Sequence, residues 1–229
     1  MSPGASRRGV FVTGTDTGVG KTVIAALLCS ALRQAGRATG YFKPVQTGPD
    51  DDTGTVARLA GLEGEALAAP VHRFRLPAAP SRAAAAEGTA IRIGTIAARW
   101  NGLPPGLWVV EGAGGLLVPL GGRETIRDLI GAMGLPILLV ASTRLGTINH
   151  TLLTLEAARH AGLAVAGVVL NGDADAGLGE TILRFDAGPI LAEVPPIAPL
   201  DAGTVERGAA AAFPASGFAT IFGPEAAAP

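Results

Sequence analysis

This chain has few lysines, one cysteine and no long apolar run, and its composition excludes several classes of protein. Its 229 residues hold 18 basic side chains, of which only Lys21 and Lys43 are lysines, and the net charge of −1 leaves no electrostatic footprint for nucleic acid or an anionic membrane. The single cysteine, Cys29, excludes an internal disulfide. No uninterrupted apolar run approaches the length of a membrane span or a secretory signal. We therefore expect a cytoplasmic protein that acts on small, soluble substrates.

What the chain does have is an alternation of apolar runs and amphipathic stretches. Residues 9–14 predict a strand, and residues 22–36 predict a helix that ends at Gly36. Further strands are predicted at 38–45, 107–115, 135–142 and 164–172, and further helices at 50–61 and 147–162. This order favours an α/β fold with a doubly wound, mainly parallel sheet and helices on both faces, in which ligands bind at the carboxyl ends of strands.

Two segments carry weaker signals. Residues 73–102 combine a proline-containing loop with an alanine-rich helix. The segment after Leu200 is rich in alanine, glycine and proline, and we expect it to be partly disordered. The whole of 1–229 is interpreted as one domain with a core at about 9–200, since a hydrophobic content of 48% is enough to bury a sizeable core.

The stretch GTDTGVGKT at residues 14–22 is the strongest motif. It matches a phosphate-binding loop of the P-loop type except that the first glycine comes one residue early, and it follows a predicted strand and opens a helix, as such a loop requires. Backbone amides from Thr17 to Thr22 could wrap a phosphate, Lys21 could reach its outer oxygens, and the Thr22 hydroxyl could bind Mg²⁺. We therefore predict a P-loop NTPase-like fold with a nucleotide site.

Polar residues that follow other predicted strands point to the same site. Glu111 lies at the end of an apolar run. It could be a further metal ligand beside the Thr22 hydroxyl, or it could cap a local turn. Lys43 lies at the end of another apolar run. Both lysines are therefore expected at one edge of the sheet, unless Lys43 is an ordinary surface lysine. The acids at 50–52 are either a solvated helix start or a source of one metal ligand. Asn171 could bind a purine edge or simply begin a β-turn.

Taken together, GTDTGVGKT, KPVQTG, VEGAGGLLVPL, LGTINHTLLTLEAARHAG and GVVLNG resemble the dethiobiotin synthetase family in the right order over residues 9–172. The early glycine of the loop also belongs to that family's pattern. The resemblance implies an ATP- and Mg²⁺-dependent ligase of biotin synthesis, which adds CO₂ to 7,8-diaminononanoate as a carbamate and closes the ureido ring through a carbamic-phosphoric anhydride. It also implies a homodimer, with no nucleic-acid or membrane partner.

The resemblance further implies roles for individual positions. Lys21 and Lys43 would be catalytic, and Thr22, Asp52 and Glu111 would bind the metal. The substrate would contact Thr47 and, across a dimer interface, the helix start at Gly146, Thr147 and Asn149. The nucleotide would bind Thr17, Gly18, Val19, Gly20, Lys21, Thr22, Val23, Asp52, Glu111, Gly112, Ala113, Gly114, Asn171, Gly172, Pro195, Pro196 and Ile197.

Some features depart from the family or leave other functions open. Many members carry Ser-Pro-His near the substrate where this chain has APSRAAA at 79–85, so we assign no substrate contact there. A partition-type switch ATPase is one alternative, but it carries a signature lysine where this chain has Asp16. A different P-loop amide ligase would need a glutaminase cysteine, which Cys29 in the first helix cannot supply. A nucleotide-binding homologue without catalysis also remains open.

Overall fold

The strands and helices follow the alternation of the sequence closely. A computed structural model of the chain describes residues 6–185 and 187–227. The strands are β1 Arg7–Gly14, β2 Thr39–Phe42, β3 Val45–Thr47, β4 Leu67–Ala68, β5 His72–Phe74, β6 Gly106–Gly115, β7 Pro119–Gly121, β8 Glu124–Thr125, β9 Ile137–Ser142, β10 Val165–Asn171 and β11 Ile190–Val194. The helices are α1 Lys21–Gln34, α2 Asp52–Ala60, α3 Pro80–Ala86, α4 Ile93–Asn101, α5 Ile126–Met133, α6 Thr147–His160, α7 Leu178–Leu183, α8 Ala202–Ala212 and α9 Phe218–Phe222.

A seven-stranded sheet in the order β11-β10-β9-β1-β6-β2-β4 forms the centre of the fold. All of its strand pairs are parallel, and β1 lies between β6 and β9 with Val10, Phe11 and Val12 fully buried. Strands covered on both faces are apolar at nearly every position, which is why these runs show little polar alternation. The doubly wound α/β fold predicted from the sequence is confirmed.

Helices cover both faces of this sheet and create two apolar cores. One core joins β1 to α1, α2, α8 and α9, and the other joins the opposite face to α3, α4, α5, α6 and α7. Adjacent strand residues alternate between them, so Tyr41 lies in the α1 core and Phe42 in the other. Among the described residues, no helix combines the length and apolarity needed to cross a bilayer.

The structure differs from the sequence prediction in three segments. The strand predicted at 38–45 is divided at Pro44, which has no N–H for a sheet, and β3 pairs with β5 in a separate two-stranded sheet. Residues 73–102 form two helices rather than one, α3 and α4. The expectation of partial disorder after Leu200 is wrong for 202–222, because α8 and α9 bury Val205 and Phe218 in the core around α1.

The contact between β2 and β6 depends on the absence of a side chain at Gly40. Gly40 pairs with Trp108, and a Cβ at that position would lie 2.5 Å from the buried indole ring. Gly40→Ala should therefore lower the free energy of unfolding by about 1–3 kcal/mol, as overpacking of a dense core does. Urea denaturation of the purified variant measures this loss.

Gly94→Ala is the matched control, because Gly94 is an exposed residue of α4 with no atom within 4 Å of an added Cβ. Its stability should equal or slightly exceed that of the parent, since alanine is the better helix former. Equal stability of the two variants would contradict the packing argument for β2 and β6.

Candidate active site

The loop between β1 and α1 is folded around the lysine that ends it. Gly18 and Gly20 have φ of 76° and 93°, the left-handed region that glycine occupies without strain, and α1 begins directly afterwards at Lys21. The Lys21 ammonium donates a hydrogen bond to the carbonyl oxygen of Asp16 at 3.0 Å. Burial lowers the pKa of Lys21, against the Glu111 carboxylate that raises it. The amides at the start of α1 and this ammonium form a cradle suited to phosphate.

Glu111 on β6 is the centre of the polar cluster below this loop. Its side chain is 1% exposed, and both carboxylate oxygens accept hydrogen bonds. Oε1 accepts from the Lys43 ammonium at 2.7 Å and from the Thr22 hydroxyl at 3.0 Å, while Oε2 accepts from the Tyr41 hydroxyl at 2.8 Å. Three donors on different elements therefore satisfy one buried charge.

Lys43 bridges Glu111 to a second carboxylate. Its ammonium lies 2.6 Å from Oδ2 of Asp52, the first residue of α2, and the Thr22 hydroxyl lies 3.3 Å from Oδ1 of Asp52, an alternative acceptor for its single proton. Burial alone would lower the pKa of Lys43, but Glu111 and Asp52 outweigh burial and raise that pKa above the ordinary lysine value. Lys43 is therefore a protonated cation that bridges the side chains of Glu111 and Asp52.

The oxygens around Lys43 fit a magnesium ion. Two carboxylates and a hydroxyl are hard oxygen donors, and the two carboxylates already bind one cation, the Lys43 ammonium. Within the residues described, no group of three or more histidine, cysteine, aspartate or glutamate side chains could hold a metal. Magnesium bound by Thr22, Asp52 and Glu111 would complete its coordination with water or nucleotide phosphate, as it does in sites with one or two carboxylates.

A cavity of about 580 Å³ opens beside the loop and both lysines. It brings together most of the residues that the sequence assigned to the phosphates, the metal and the substrate hydroxyl contact. The predicted residues that line it are Thr17, Gly18, Gly20, Lys21, Thr22, Lys43, Thr47, Asp52, Glu111, Ala113 and Gly114. Its far wall is formed by residues 77–80, together with Gln46 and Asp50. Gly112 is adjacent, with its carbonyl oxygen 3.4 Å from the Lys43 ammonium.

The residues predicted to bind the base lie outside that cavity, at the end of β10. The Asn171 amide nitrogen donates to the carbonyl oxygen of Val19 at 2.9 Å, which ties the loop to the end of β10 although β9 lies between β10 and β1 in the sheet. The Gly172 amide donates to the carbonyl oxygen of Val194 at 2.9 Å, so Pro195, Pro196 and Ile197 follow β11 beside Asn171. Val23 is a half-buried residue of α1 behind the loop. The loop thus lines the cavity through Thr17, Gly18 and Gly20 and contacts the end of β10 through Val19.

The start of α6 is a third group, and it does not line the cavity. Gly146, with φ of 95°, caps this helix, the Thr147 side chain is buried, and Asn149 is exposed. Leu145 next to them is completely exposed to solvent. The structure of one chain therefore leaves these predicted substrate residues apart from Thr47 and Lys43.

Comparison with known proteins identifies the family. A family profile described as an AAA domain matches residues 8–204. The chain is 41% identical over 206 residues to the ATP-dependent dethiobiotin synthetase BioD of Nitrobacter hamburgensis, covering 89% of this chain and 93% of that protein. The chain belongs to the dethiobiotin synthetase family.

Two further matches place the family in context. The bifunctional biotin biosynthesis protein BioCD of Bordetella avium is 46% identical over 202 residues, and the match spans 87% of this chain but only 42% of that longer protein. A ParA family ATPase structure from Chlorobium tepidum aligns with a TM-score of 0.56 at 13% identity, over 89% of this chain and 98% of that one. A likeness at that identity shows the shared P-loop fold alone.

Sequence reasoning missed two parts of this dethiobiotin synthetase site. Residues 77–80 line the cavity although no contact was assigned to the segment at 79–85. Tyr41, the only tyrosine of the chain, contacts Glu111, and the sequence motifs give it no role in the site. A signal for it was available, because the two-residue period of a strand places Tyr41 and Lys43 on one face.

The Asn171 side chain leaves no room for a side chain at Gly20. A Cβ at Gly20 would collide with the Asn171 amide nitrogen, whereas a Cβ at Gly18 meets nothing within 4 Å. Both glycines have positive φ, so alanine strains the backbone at either position. Gly20→Ala should therefore be less stable than Gly18→Ala by about 1–3 kcal/mol, measured by urea denaturation without nucleotide. Equal losses of stability would show that Asn171 can move away without cost.

Proposed function

We propose that this protein is an ATP-dependent dethiobiotin synthetase. In the proposed reaction an amine of 7,8-diaminononanoate adds to CO₂ and loses a proton to give a carbamate. A carbamate oxygen then attacks the γ-phosphorus of ATP and releases ADP. The second amine attacks the carbonyl carbon of the resulting carbamic-phosphoric anhydride, which closes the ureido ring and releases phosphate.

The observation that carries this proposal is the position of both lysines on one cavity that continues past the phosphate loop. Lys21 lies in the cradle and Lys43 lies on the wall between the cradle and Thr47. Two fixed cations at this point would stabilise the negative charge that builds up as the phosphoryl group moves to the carbamate. The remaining space, toward Thr47 and residues 77–80, accommodates a second substrate beside the nucleotide.

Thr22, Asp52 and Glu111 are the residues we assign to magnesium. When bound, the ion would neutralise part of the negative charge of the outer phosphates. The protein's own part is to hold the Asp52 and Glu111 carboxylates on the Lys43 ammonium, with the Thr22 hydroxyl within 3.3 Å of both carboxylates. On the other side of the loop, Asn171 and residues 195–197 would receive the adenine, with the Asn171 carbonyl oxygen turned to accept from its amino group.

The proposed site is completed by a second subunit. The start of α6 lies apart from the cavity, yet it is the part of the chain assigned to the substrate carboxylate. Leu117, Leu145 and Leu153 are largely exposed, and Leu117 and Leu153 line a second hollow of about 350 Å³ with Asp16. A homodimer that covers these leucines would bring Asn149 of the partner subunit to the cavity.

A partition-type switch ATPase is the alternative that shares the fold. Asp16 stands where that class carries its signature lysine, and its carboxylate accepts from the Thr17 amide at 2.6 Å, within its own loop. The lysine next to the proposed phosphates is Lys43 instead, on the same chain. We also propose that 1–229 is a single catalytic domain, of which residues 1–5, 186 and 228–229 lie outside the described structure.

The assignment is tested by supplying ATP, Mg²⁺, 7,8-diaminononanoate and ¹³C-bicarbonate, and measuring labelled dethiobiotin by mass spectrometry together with released phosphate. Lys21→Ala and Lys43→Ala should each lower kcat by at least about 100-fold, the scale for removing one preorganised charge. Arg92→Ala, at an exposed residue away from the cavity, should leave turnover unchanged.

Near-normal turnover of either lysine variant would contradict the assigned catalytic roles. Phosphate release without labelled product would retain the nucleotide site and redirect the proposal to the switch ATPase class.

The shared site predicts that two defective subunits repair each other. Lys21→Ala and Asn149→Ala should each be impaired alone, because each damages both sites of a homodimer. In a mixed dimer one site has an intact Lys21 from one chain and an intact Asn149 from the other. Co-expression in equal amounts should restore about a quarter of the parent turnover, since half of the dimers are mixed and each has one intact site. Activity equal to the sum of the two separate variants would remove the partner subunit from the site.

A further inference from the structure

Tyr41 has a contact that the proposed mechanism does not yet use. Its hydroxyl donates to Oε2 of Glu111 at 2.8 Å, and its side chain is fully buried in the core shared with α1. It does not line the cavity, so it cannot touch a substrate there. Any part it plays in the reaction must pass through Glu111.

The three donors around Glu111 are not equivalent once a metal ion is considered. The Thr22 hydroxyl and the Lys43 ammonium both bind Oε1, the oxygen that faces Asp52 and the cavity. Both donate to the space in which the proposed ion would lie, so both must turn away from Oε1 when a cation takes that space. The Tyr41 bond is on the opposite oxygen and is unaffected by that exchange.

We infer that Tyr41 is a positioning residue for the metal site, which fixes the Glu111 carboxylate with Oε1 toward the cavity when Thr22 and Lys43 no longer hold it. This inference rests on the proposed nucleotide site. Without metal, the hydrogen bond from Tyr41 is one of three that hold the Glu111 carboxylate. With metal bound, it is the main one of the three that remains.

The chemistry of the phenol suits this role. The Tyr41 hydroxyl is a neutral donor on a fully buried side chain, and it lies 2.8 Å from Oε2 of Glu111. A neutral donor can remain beside a carboxylate without adding positive charge that would compete with a metal ion. Tyr41 is held within the sheet, because it pairs with Val109 of β6 and with Leu67 of β4.

Tyr41→Phe removes the hydroxyl and keeps the ring. ADP is titrated by calorimetry in EDTA and then at stepped Mg²⁺ concentrations, and Mn²⁺ binding to the ADP complex is followed by electron paramagnetic resonance. ADP affinity in EDTA should stay at the parent value, whereas Mg²⁺ and Mn²⁺ affinity in the ADP complex should fall about 10- to 100-fold, the usual effect of removing a residue that orients a metal ligand.

Two controls frame the measurement. Thr13→Val deletes another fully buried hydroxyl, one that has no hydrogen-bond partner in the described part of the chain, and should leave every affinity unchanged. Asp52→Asn removes a proposed ligand and should lower metal affinity directly.

Two outcomes would overturn the inference: metal affinity that is unchanged in Tyr41→Phe, or an equal loss of ADP affinity in EDTA and in Mg²⁺, which would mean that Tyr41 serves the fold alone. The readout needs no diamine, so a failure of the ligase assay and a failure of this inference are distinguishable.

Discussion

The constraint on which this site depends is the burial of the Glu111 carboxylate. A charge that is 1% exposed is several kcal/mol unfavourable unless it is paired and hydrogen-bonded. Its partners come from the start of α1, from β2 and from the residue that follows β2, and Lys43 extends the cluster to α2. Satisfying one carboxylate thus fixes the relative positions of α1, which follows the phosphate-binding loop, of strands β2 and β6, and of α2 beside the cavity.

Close packing adds a second constraint of a different kind. Gly40 allows β2 to approach Trp108, and Gly20 allows the loop to approach Asn171. The hydrogen bond from Asn171 to Val19 then joins the end of β10 to the backbone of the loop that lines the cavity. The loop conformation is therefore supported from two directions, by the cluster beneath it and by the end of β10 beside it.

Site residues that belong to local motifs could be predicted from the sequence, whereas contacts that depend on which strands are neighbours could not. The motif identified Lys21 and Thr22, and the scarcity of lysine drew attention to Lys43. Glu111 followed from a charge at the end of an apolar run. The contact of Tyr41 with Glu111 joins residues that are 70 positions apart, and it requires knowing that β2 lies beside β6. The helices after Leu200 were hidden for another reason, because alanine-rich stretches are stabilised there by packing on α1 rather than by a strong periodic pattern.

The composition of the surface has one practical consequence. Basic charge outside the site is supplied by arginine alone, and both lysines are buried at the cavity. Apart from the terminal amine, reagents that acylate primary amines have no other target on the folded chain. Acylation of lysine can therefore report nucleotide binding. A nucleotide in the cradle would shield Lys21, so the extent of acylation would measure the fraction of the protein that has nucleotide bound.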